Sequence, residues 1–396
     1  MSDERSADEG DARTARSSSS SRRARGEFDF IERIRRQEDA RLASHNHSSL
    51  ITHHSSLLQG IGDDAAVLRQ RAGLDTVITT DLLIEDVDFR LGHGWSSPRD
   101  LGHKALAVSL SDVAAMGARP RFCLLSVGVP RARWRGRFLE EFYAGVRSLA
   151  ATHGVVIIGG DTSRTPERVV LDSIVLGEVR SGRAVMRSGA RAGDRIFVTG
   201  LLGGAAAGLR VLEGGAVRQS KIVEGDAVRR SRAASASASA SRSGACMKRA
   251  ERGLVLRQLR PEPRVEWGAL LGERRLATAL IDLSDGLSSD LAHVCRESGV
   301  GARIEAASLP FDPQLESSGI ADDDALSLAL DGGEDFEMLF TVSARDARRL
   351  PREVGGVQVT RIGEVTRERG KVRLVRDGRA RLLRPGGFDH FGRTRR

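Results

Sequence analysis

Apolar segments that run into glycine and aspartate recur along this 396-residue chain, with helical segments between them. Thr76–Thr80 and Phe122–Val129 have the composition of buried strands. Between them, Ser97 and Pro98 begin a helical pattern that ends at Gly117. This alternation of strands and helices predicts an α/β fold.

The alternation restarts after Arg191, which predicts two α/β domains with a boundary near residue 180. We assign residues 26–180 to an N-terminal domain and 181–391 to a C-terminal domain. Three segments lack apolar periodicity: a disordered tail at 1–25, a loop insertion at 43–56 and a flexible basic insertion at 217–258. Four histidines in the loop insertion leave a zinc site open, although no cysteine lies nearby to complete one.

The net charge of +9 raises the possibility of nucleic acid binding, but most of this charge lies in one segment. Residues 217–258 contain ten Lys or Arg against three acidic residues, and residues 1–25 contain six Arg against five. The rest of the chain is therefore close to neutral and predicts no basic face. A nucleic-acid-binding protein that uses the basic insertion stays open as the alternative from a different functional class.

The cellular location of the protein is predicted from segments that the sequence lacks. No stretch approaches the roughly 18 apolar residues of a membrane span, and the first residues form no apolar signal segment. Cys123, Cys246 and Cys295 are far apart, which suits reduced thiols and gives no metal-ligand spacing. We therefore expect a cytoplasmic protein without membrane association.

Carboxylates follow the predicted strands at five places. They are Asp63 and Asp64 after Gly60-Ile-Gly, Asp81 after Thr79-Thr80, Asp161 after Gly159-Gly160, Asp282 and Asp285 in Ile281-Asp-Leu-Ser-Asp-Gly, and Glu334 and Asp335 after Gly332-Gly333. Ligands of α/β proteins gather where strands end, so the pattern predicts one acidic site. Asp112 adds to it, since it shares the apolar face of the predicted helix with Leu101 and Val108.

Carboxylates that converge cannot all ionise near neutral pH without a counter-charge. Magnesium supplies that charge and bridges carboxylates to phosphate oxygens. Taken singly, each aspartate could equally be a turn residue with a satisfied side chain. The chain lacks both a G-x-x-x-x-G-K-[ST] loop and a G-x-G-x-x-G loop after a strand. The residues thus favour a phosphotransferase that holds ATP through metal-bridged carboxylates.

Ten segments between residues 26 and 391 resemble, in the same order, the thiamine-monophosphate kinase family. This family belongs to the superfamily that includes aminoimidazole ribonucleotide synthetase. Ile281-Asp-Leu-Ser-Asp-Gly and Gly332-Gly-Glu-Asp-Phe-Glu are the segments most particular to these kinases. The others are Gly26-Glu-Phe, Gly60-Ile-Gly-Asp-Asp-Ala, Thr79-Thr-Asp, residues 104–118, Gly159-Gly-Asp-Thr, Arg187-Ser-Gly-Ala, Arg260-Pro-Glu-Pro-Arg and Gly387-Phe-Asp-His-Phe.

The resemblance implies transfer of the ATP γ-phosphoryl group to thiamine monophosphate, with several Mg²⁺ ions as cofactors. The implied metal ligands are Asp64, Thr79, Thr80, Asp81, Asp112, Asp161, Asp282 and Asp285. Of these, Asp161, Asp282 and Asp285 are the implied catalytic residues, and the implied ATP contacts are Gly160, Asp161, Arg187 and Ser284. The implied contacts to thiamine monophosphate are Asp88, Glu334 and Phe388, with an Asp at position 88 where the family commonly has His.

The implied fold has two domains like those of aminoimidazole ribonucleotide synthetase. The N-terminal domain binds ATP and magnesium, and its sheet pairs with that of a second copy to form a barrel in a homodimer. The C-terminal domain has a mixed sheet flanked by helices. Another ATP-using enzyme of the superfamily is the first alternative, although no cysteine precedes Cys123 to serve the chemistry of a selenophosphate synthetase. A homologue without activity is disfavoured because nearly every acidic position is filled.

Overall fold

A computed structural model describes residues 57–59, 63–69, 73–92, 95–214 and 248–391, together with Glu32 and Arg36. The predicted tail, the loop insertion 43–56 and most of the insertion 217–258 lie outside these residues. Among the helices of the described residues, none combines the length and the apolar character needed to cross a membrane.

The first sheet has six strands in the order β1-β2-β3-β6-β4-β5. Its strands are β1 (Leu57–Gln59), β2 (Ala66–Arg69), β3 (Leu74–Ile84), β4 (Arg119–Val129), β5 (Val156–Arg164) and β6 (Val170–Arg180). Only β4 and β5 pair in parallel, and β5 forms one edge of the sheet. The helices of this region are α1 (Pro98–Ala115), α2 (Arg131–Trp134) and α3 (Phe138–His153).

The second sheet has eight strands in the order β14-β13-β9-β12-β7-β10-β8, with β11 paired to β12. Its strands are β7 (Arg195–Thr199), β8 (Ala277–Asp282), β9 (Gly301–Glu305), β10 (Met338–Val342), β11 (Glu353–Val354), β12 (Val357–Thr366), β13 (Val372–Arg376) and β14 (Arg379–Leu383). The helices here are α4 (204–214), α5 (Arg249–Leu259), α6 (Val265–Glu273), α7 (Leu287–Ser298), α8 (Pro313–Ser317) and α9 (Asp322–Asp331). Two short 3₁₀ turns lie at Ala306–Ser308 and Asp346–Arg349. Because β9 and β13 pair in parallel, the sheet is mixed, as predicted.

Helix α1 holds the two halves of the molecule together. Ser97 and Asp100 form a capping box at its first turn, and thirteen of its 18 residues are buried. Small residues allow close packing on two sides, since an added Cβ on Gly102 would lie 1.9 Å from the carbonyl oxygen of Phe142 in α3. On the other side, an added Cβ on Gly268 of α6 would lie 2.1 Å from the carbonyl oxygen of Ala114. Residues of α1 therefore reach both domains.

The structure corrects two predicted strand ends. Asp81 lies inside β3, which continues to Ile84, and Asp161 lies inside β5, which continues to Arg164. The double glycine before Asp161 indicated a turn, but Gly160 serves a close approach of strands. An added Cβ there would lie 2.0 Å from the carbonyl oxygen of Leu125.

The end of the predicted basic insertion is also corrected. Residues 249–258 are helical and form most of α5. The four charged side chains of this segment concealed the apolar face of α5, in which Leu254, Val255 and Leu259 are buried. This face follows the helical period but is too short to stand out in a charged, low-complexity context.

Candidate active site

Three carboxylates from separate elements converge where the two domains meet. Asp64 lies just before β2, Asp112 lies on α1, and Asp282 ends β8. One oxygen of each lies within 4.8 Å of the others. Asp64 and Asp282 are buried, and Asp112 is partly exposed. The sequence therefore identified a true cluster, which we call the carboxylate cluster.

Hydroxyl groups orient these carboxylates. Thr79 Oγ1 donates to Asp112 Oδ2 at 2.6 Å. Ser111 Oγ donates to Asp282 Oδ2 at 2.7 Å across the domain boundary. Ser109 and Ser111 were not predicted, but their presence beside Asp112 in an otherwise apolar helix was a usable signal.

Asp81 lies beside the cluster, on the face of β3 that packs against α1. Ser109 Oγ donates to its Oδ2 at 2.6 Å and also contacts Ser173 Oγ at 2.6 Å. Burial raises the pKa of Asp81 to about 6. The predicted residues Thr79 and Asp81 thus share one face of the strand, because side chains two apart point the same way.

Arg187 is the basic residue that contacts the carboxylate cluster. Its Nε and Nη2 donate to the two oxygens of Asp64 at 2.9 and 2.7 Å, which is a bidentate ion pair. Its backbone N–H donates to Asp63 at 3.2 Å. The positive charge of Arg187 therefore faces several carboxyl groups, and negative charge is in excess at the cluster.

The pKa values show this excess of negative charge. Burial raises the pKa of Asp112 well above its ordinary value, and the neighbouring carboxylates of Asp81 and Asp282 raise it further. The pKa of Asp282 is raised in the same way, first by burial and then by Asp64. Burial and then Asp64 raise the pKa of Asp63 to about 7. Such a group of oxygen donors fits a hard divalent cation such as Mg²⁺.

The segment after β8 brings Ser284 and Asp285 to the same region. Glu334 N–H donates to Ser284 O at 2.8 Å, so the two most family-specific segments contact each other. Asp290 at the start of α7 is buried, and its Oδ2 accepts from Gly286 N–H at 3.1 Å. This bond fixes the turn that carries Asp285, and Asp290 is a positioning residue that sequence reasoning missed.

A cavity of about 390 Å³ opens beside the carboxylate cluster. Asp81, Ser284 and Asp285 line one side of it. The wider lining includes all three predicted substrate contacts and two further polar residues, namely Asp88, Glu334, Phe388, Lys104 and Gln258. The cavity therefore connects the predicted metal ligands to the predicted substrate contacts.

Glu334 is held by a buried cation. Lys104 Nζ, on α1, lies 2.5 Å from Glu334 Oε1, and its side chain is almost fully buried. Gln258 Nε2 donates to the other oxygen, Oε2. Lys104 was part of a recognised segment, but its role as a counter-ion required the positions of α1 and Glu334 in space.

Asp88 and Phe388 border the same cavity. Asp88 Oδ2 accepts from Ile84 N–H at 2.7 Å, and its Oδ1 lies 3.8 Å from His390 Nε2. The Phe388 ring is 53% exposed and packs edge-on against His390 at 4.7 Å between ring centroids. A histidine therefore does border the cavity, from position 390 rather than 88.

The predicted metal ligands Thr80 and Asp161 lie away from the cluster within this chain, and so does Gly160, which with Asp161 was a predicted ATP contact. Thr80 Oγ1 points to the opposite face of the sheet and donates to Asp172 Oδ1 at 2.5 Å. Asp161 is exposed on β5, beside Gly160, and accepts from Thr162 N–H at 2.8 Å. Strand β5 is separated from β3 by β4 and β6, which corresponds to three strand spacings or roughly 14 Å.

Comparison with known proteins identifies the family. Residues 62–179 match the AIR synthase related protein, N-terminal domain, and residues 191–375 match the AIR synthase related protein, C-terminal domain. The thiamine-monophosphate kinase of Bacillus subtilis (strain 168) is 36% identical over 343 residues, which cover 86% of this chain and 95% of that protein.

Solved structures agree with this relationship. The structure of AaThiL complexed with AMPPCP and TMP superimposes with a TM-score of 0.69 at 28% identity, covering 92% of this chain and 97% of that one. Thiamine-monophosphate kinase from Stenotrophomonas maltophilia K279a gives a TM-score of 0.64 at 38% identity, covering 89% and 96%. Both the sequence matches and the shared two-domain fold show that the chain belongs to the thiamine-monophosphate kinase family of AIR synthase related proteins.

Proposed function

We propose that this protein transfers the γ-phosphoryl group of ATP to thiamine monophosphate, giving thiamine diphosphate and ADP. The observation that carries the proposal is the cavity that connects the carboxylate cluster to Glu334 and Phe388. The relatives named thiamine-monophosphate kinase support this activity. The related structure that contains AMPPCP, an ATP analogue, together with TMP supports a site for both ligands.

The oxygen donors of the carboxylate cluster would hold magnesium. Asp64, Asp112 and Asp282 would supply carboxylate oxygens, supported by Thr79 and Asp81. When bound, the ions would neutralise charge on the polyphosphate. The further proposed metal ligands are Thr80, Asp161 and Asp285, and the proposed ATP contacts are Gly160, Asp161, Arg187 and Ser284.

The mechanism needs positioning more than proton transfer. The acceptor is a phosphate monoester, which is largely dianionic near neutral pH, so no general base is required. Electrostatic repulsion between the acceptor phosphate and the γ-phosphate of ATP is the main obstacle. Fixed cationic groups reduce this repulsion. Ser109 and Ser111 hold their carboxylates in place, and Arg187 keeps Asp64 fixed. We propose direct in-line transfer without a phosphorylated enzyme intermediate.

The acceptor end of the cavity suits a cationic heteroaromatic substrate. Thiamine monophosphate carries a positively charged thiazolium ring, which carboxylates attract. Asp88 lies at this end beside Glu334, whose charge is paired with Lys104, and the exposed ring of Phe388 offers an apolar face for stacking. The Asp at position 88, in place of the common His, would strengthen this attraction for the cation.

The proposed reaction is tested by incubating the purified protein with ATP, Mg²⁺ and thiamine monophosphate and separating the products by chromatography. We expect thiamine diphosphate to form, and we expect no product when thiamine replaces thiamine monophosphate. ATP binding without thiamine diphosphate formation would instead favour another ATP-using reaction of the superfamily.

The two described cysteines, Cys123 and Cys295, are buried and unpaired, which supports a cytoplasmic setting.

A homodimer is proposed from the open side of the first sheet. Along β5, every residue except Ile157 is exposed, and the neighbouring Phe122 on β4 is exposed as well. Phe122, Val156 and Ile158 together form an apolar surface at an unpaired sheet edge. Such surfaces mark association sites, and a second copy of the sheet provides a matching surface. This supports the barrel-forming dimer.

The dimer also accounts for the position of Asp161. Asp161 lies on this exposed edge strand and far from the carboxylate cluster of its own chain. In a two-fold dimer, any contact made by one edge strand on the partner is repeated by the other. We propose that Gly160 and Asp161 reach the carboxylate cluster of the partner subunit, so that each complete site contains residues of both chains.

Replacing Ile158 with aspartate should disrupt the dimer, because it places a charge in the proposed interface. We expect sedimentation to show a change from dimer to monomer, with loss of kinase activity. Leu382→Asp is the matched control, since Leu382 is also exposed on an edge strand, β14, of the other sheet. A monomeric wild-type protein, or a dimer unaffected by Ile158→Asp, would contradict the proposed interface.

A further inference from the structure

Gln258 lines the cavity and carries a buried hydrogen-bond acceptor without a described partner. The residue lies near the end of α5, lines the cavity and is only 5% exposed. Its Nε2 donates to Glu334 Oε2. Its Oε1 is buried and has no hydrogen-bond partner within the described part of the chain. Buried amide oxygens without partners are rare in folded proteins, since each one costs free energy of desolvation.

The orientation of this amide is fixed by its neighbours. Turning the amide over would place its oxygen against the carboxylate of Glu334, and two acceptors would then repel each other. Lys104 holds the other carboxylate oxygen of Glu334, so the carboxylate cannot rotate away without losing a buried ion pair. The acceptor atom of Gln258 therefore has no donor among the residues that the structure describes, which leaves it available to a donor group of a bound ligand.

A neutral donor N–H suits this position better than a cation. Glu334 already has Lys104 as its counter-ion, so Gln258 contributes a dipole and no charge to this end of the cavity. The aminopyrimidine ring of thiamine monophosphate carries an exocyclic amine, which donates two hydrogen bonds. Phe388 on the same cavity provides a ring face for a flat heterocycle.

We propose that Gln258 is a specificity-determining residue whose Oε1 accepts a hydrogen bond from the exocyclic amine of the substrate's aminopyrimidine. The inference rests on the proposed function and adds to it the residue that recognises this ring. A site built to accept from an N–H group rejects an analogue that lacks it, because the buried acceptor is then left unpaired.

The test compares thiamine monophosphate with oxythiamine monophosphate, in which an oxygen replaces the amine. We expect the wild-type protein to prefer the amine substrate by about 100-fold or more in kcat/KM. In Gln258→Leu, the loss of the bond to Glu334 lowers kcat/KM for both substrates, and we expect the amine substrate to lose about 10-fold to 100-fold more than the oxo analogue. Gln258→Met, of similar length, provides a second variant if the first folds poorly.

Other outcomes overturn the inference. An equal loss for both substrates would mean that Gln258 only supports the fold around Glu334. A rise in the KM for ATP without a change in preference would place the adenine amine, and not the aminopyrimidine, at this position. Gln314→Leu serves as the control, since Gln314 lies on α8 and does not line the cavity.

Failure of the proposed function gives a different result from failure of this contact. If the wild-type protein phosphorylates neither substrate, the proposed function is wrong. Calorimetric titration with thiamine monophosphate, in the absence of ATP, then decides the contact separately. A larger loss of affinity in Gln258→Leu for thiamine monophosphate than for the oxo analogue supports it, and an equal loss or no loss for both ligands overturns it.

Discussion

Replacing Asp282 with asparagine is expected to lower kcat by about 10²-fold to 10³-fold while the protein stays folded. Asparagine has nearly the same shape, and its side-chain oxygen can still accept the hydrogen bond from Ser111. What it lacks is the negative charge that holds a cation. A steady-state assay at saturating ATP and thiamine monophosphate measures this loss.

The thermal stability of Asp282→Asn should not fall with its kcat. The pKa of Asp282 is raised by burial and by Asp64, so the ionised carboxylate is unfavourable in the folded protein without a cation. A raised folded-state pKa in an acid lowers stability at neutral pH, and removing the group relieves this cost. We therefore expect the Tm of Asp282→Asn without magnesium to equal or exceed that of the wild-type protein.

Asp75→Asn is the matched control for this variant. Asp75 is also fully buried, but it accepts from Ser181 Oγ at 3.0 Å and from Gly182 N–H at 2.8 Å, away from the carboxylate cluster. Its replacement should lower the Tm and leave kcat nearly unchanged. Near-normal turnover in Asp282→Asn would refute the metal-binding role of Asp282.

Mixed dimers give the second large effect. We expect Asp161→Asn and Asp282→Asn homodimers to be almost inactive, whereas a mixed dimer of one subunit of each should recover about half of the wild-type activity. In the mixed dimer, the intact Asp161 of one subunit meets the intact Asp282 of the other in one of the two sites. Co-expression with two different affinity tags allows this species to be purified and assayed.

A second mixed dimer serves as the reverse control. When wild-type chains pair with chains carrying both substitutions, the proposed arrangement leaves each site with one defect, so the dimer should be almost inactive. If Asp161 acted within its own chain, this dimer would have half of the wild-type activity and the first mixed dimer would have none. The two arrangements therefore give opposite results.

Local sequence patterns were sufficient for several elements. The Ser-Pro start and the glycine stop predicted the span of α1, because capping and chain termination depend on adjacent residues. The predicted strands Thr76–Thr80 and Phe122–Val129 also lie within β3 and β4. The convergence of Asp64, Asp112 and Asp282 was predicted as well, because the sites of α/β proteins gather where strands end.

Other features depend on contacts between distant parts of the chain. Asp81 and Asp161 lie inside strands, because pairing with β6 and β4 extends those strands beyond their apolar residues. The pairing of Lys104 with Glu334 joins residues 230 positions apart, which no local pattern records. The same holds for the unpaired oxygen of Gln258, since its helix lies at the end of a charged, low-complexity segment.

The central claim is that phosphoryl transfer occurs directly between two substrates in one cavity. Its most direct test follows ATP labelled with ³²P in the γ-position, in the presence of Mg²⁺ and thiamine monophosphate, by rapid quenching. We expect the label to appear in thiamine diphosphate in equal amount to the ADP formed, with none bound to the protein. Label that accumulates on an aspartate or histidine of the protein, or only in inorganic phosphate, would contradict the account.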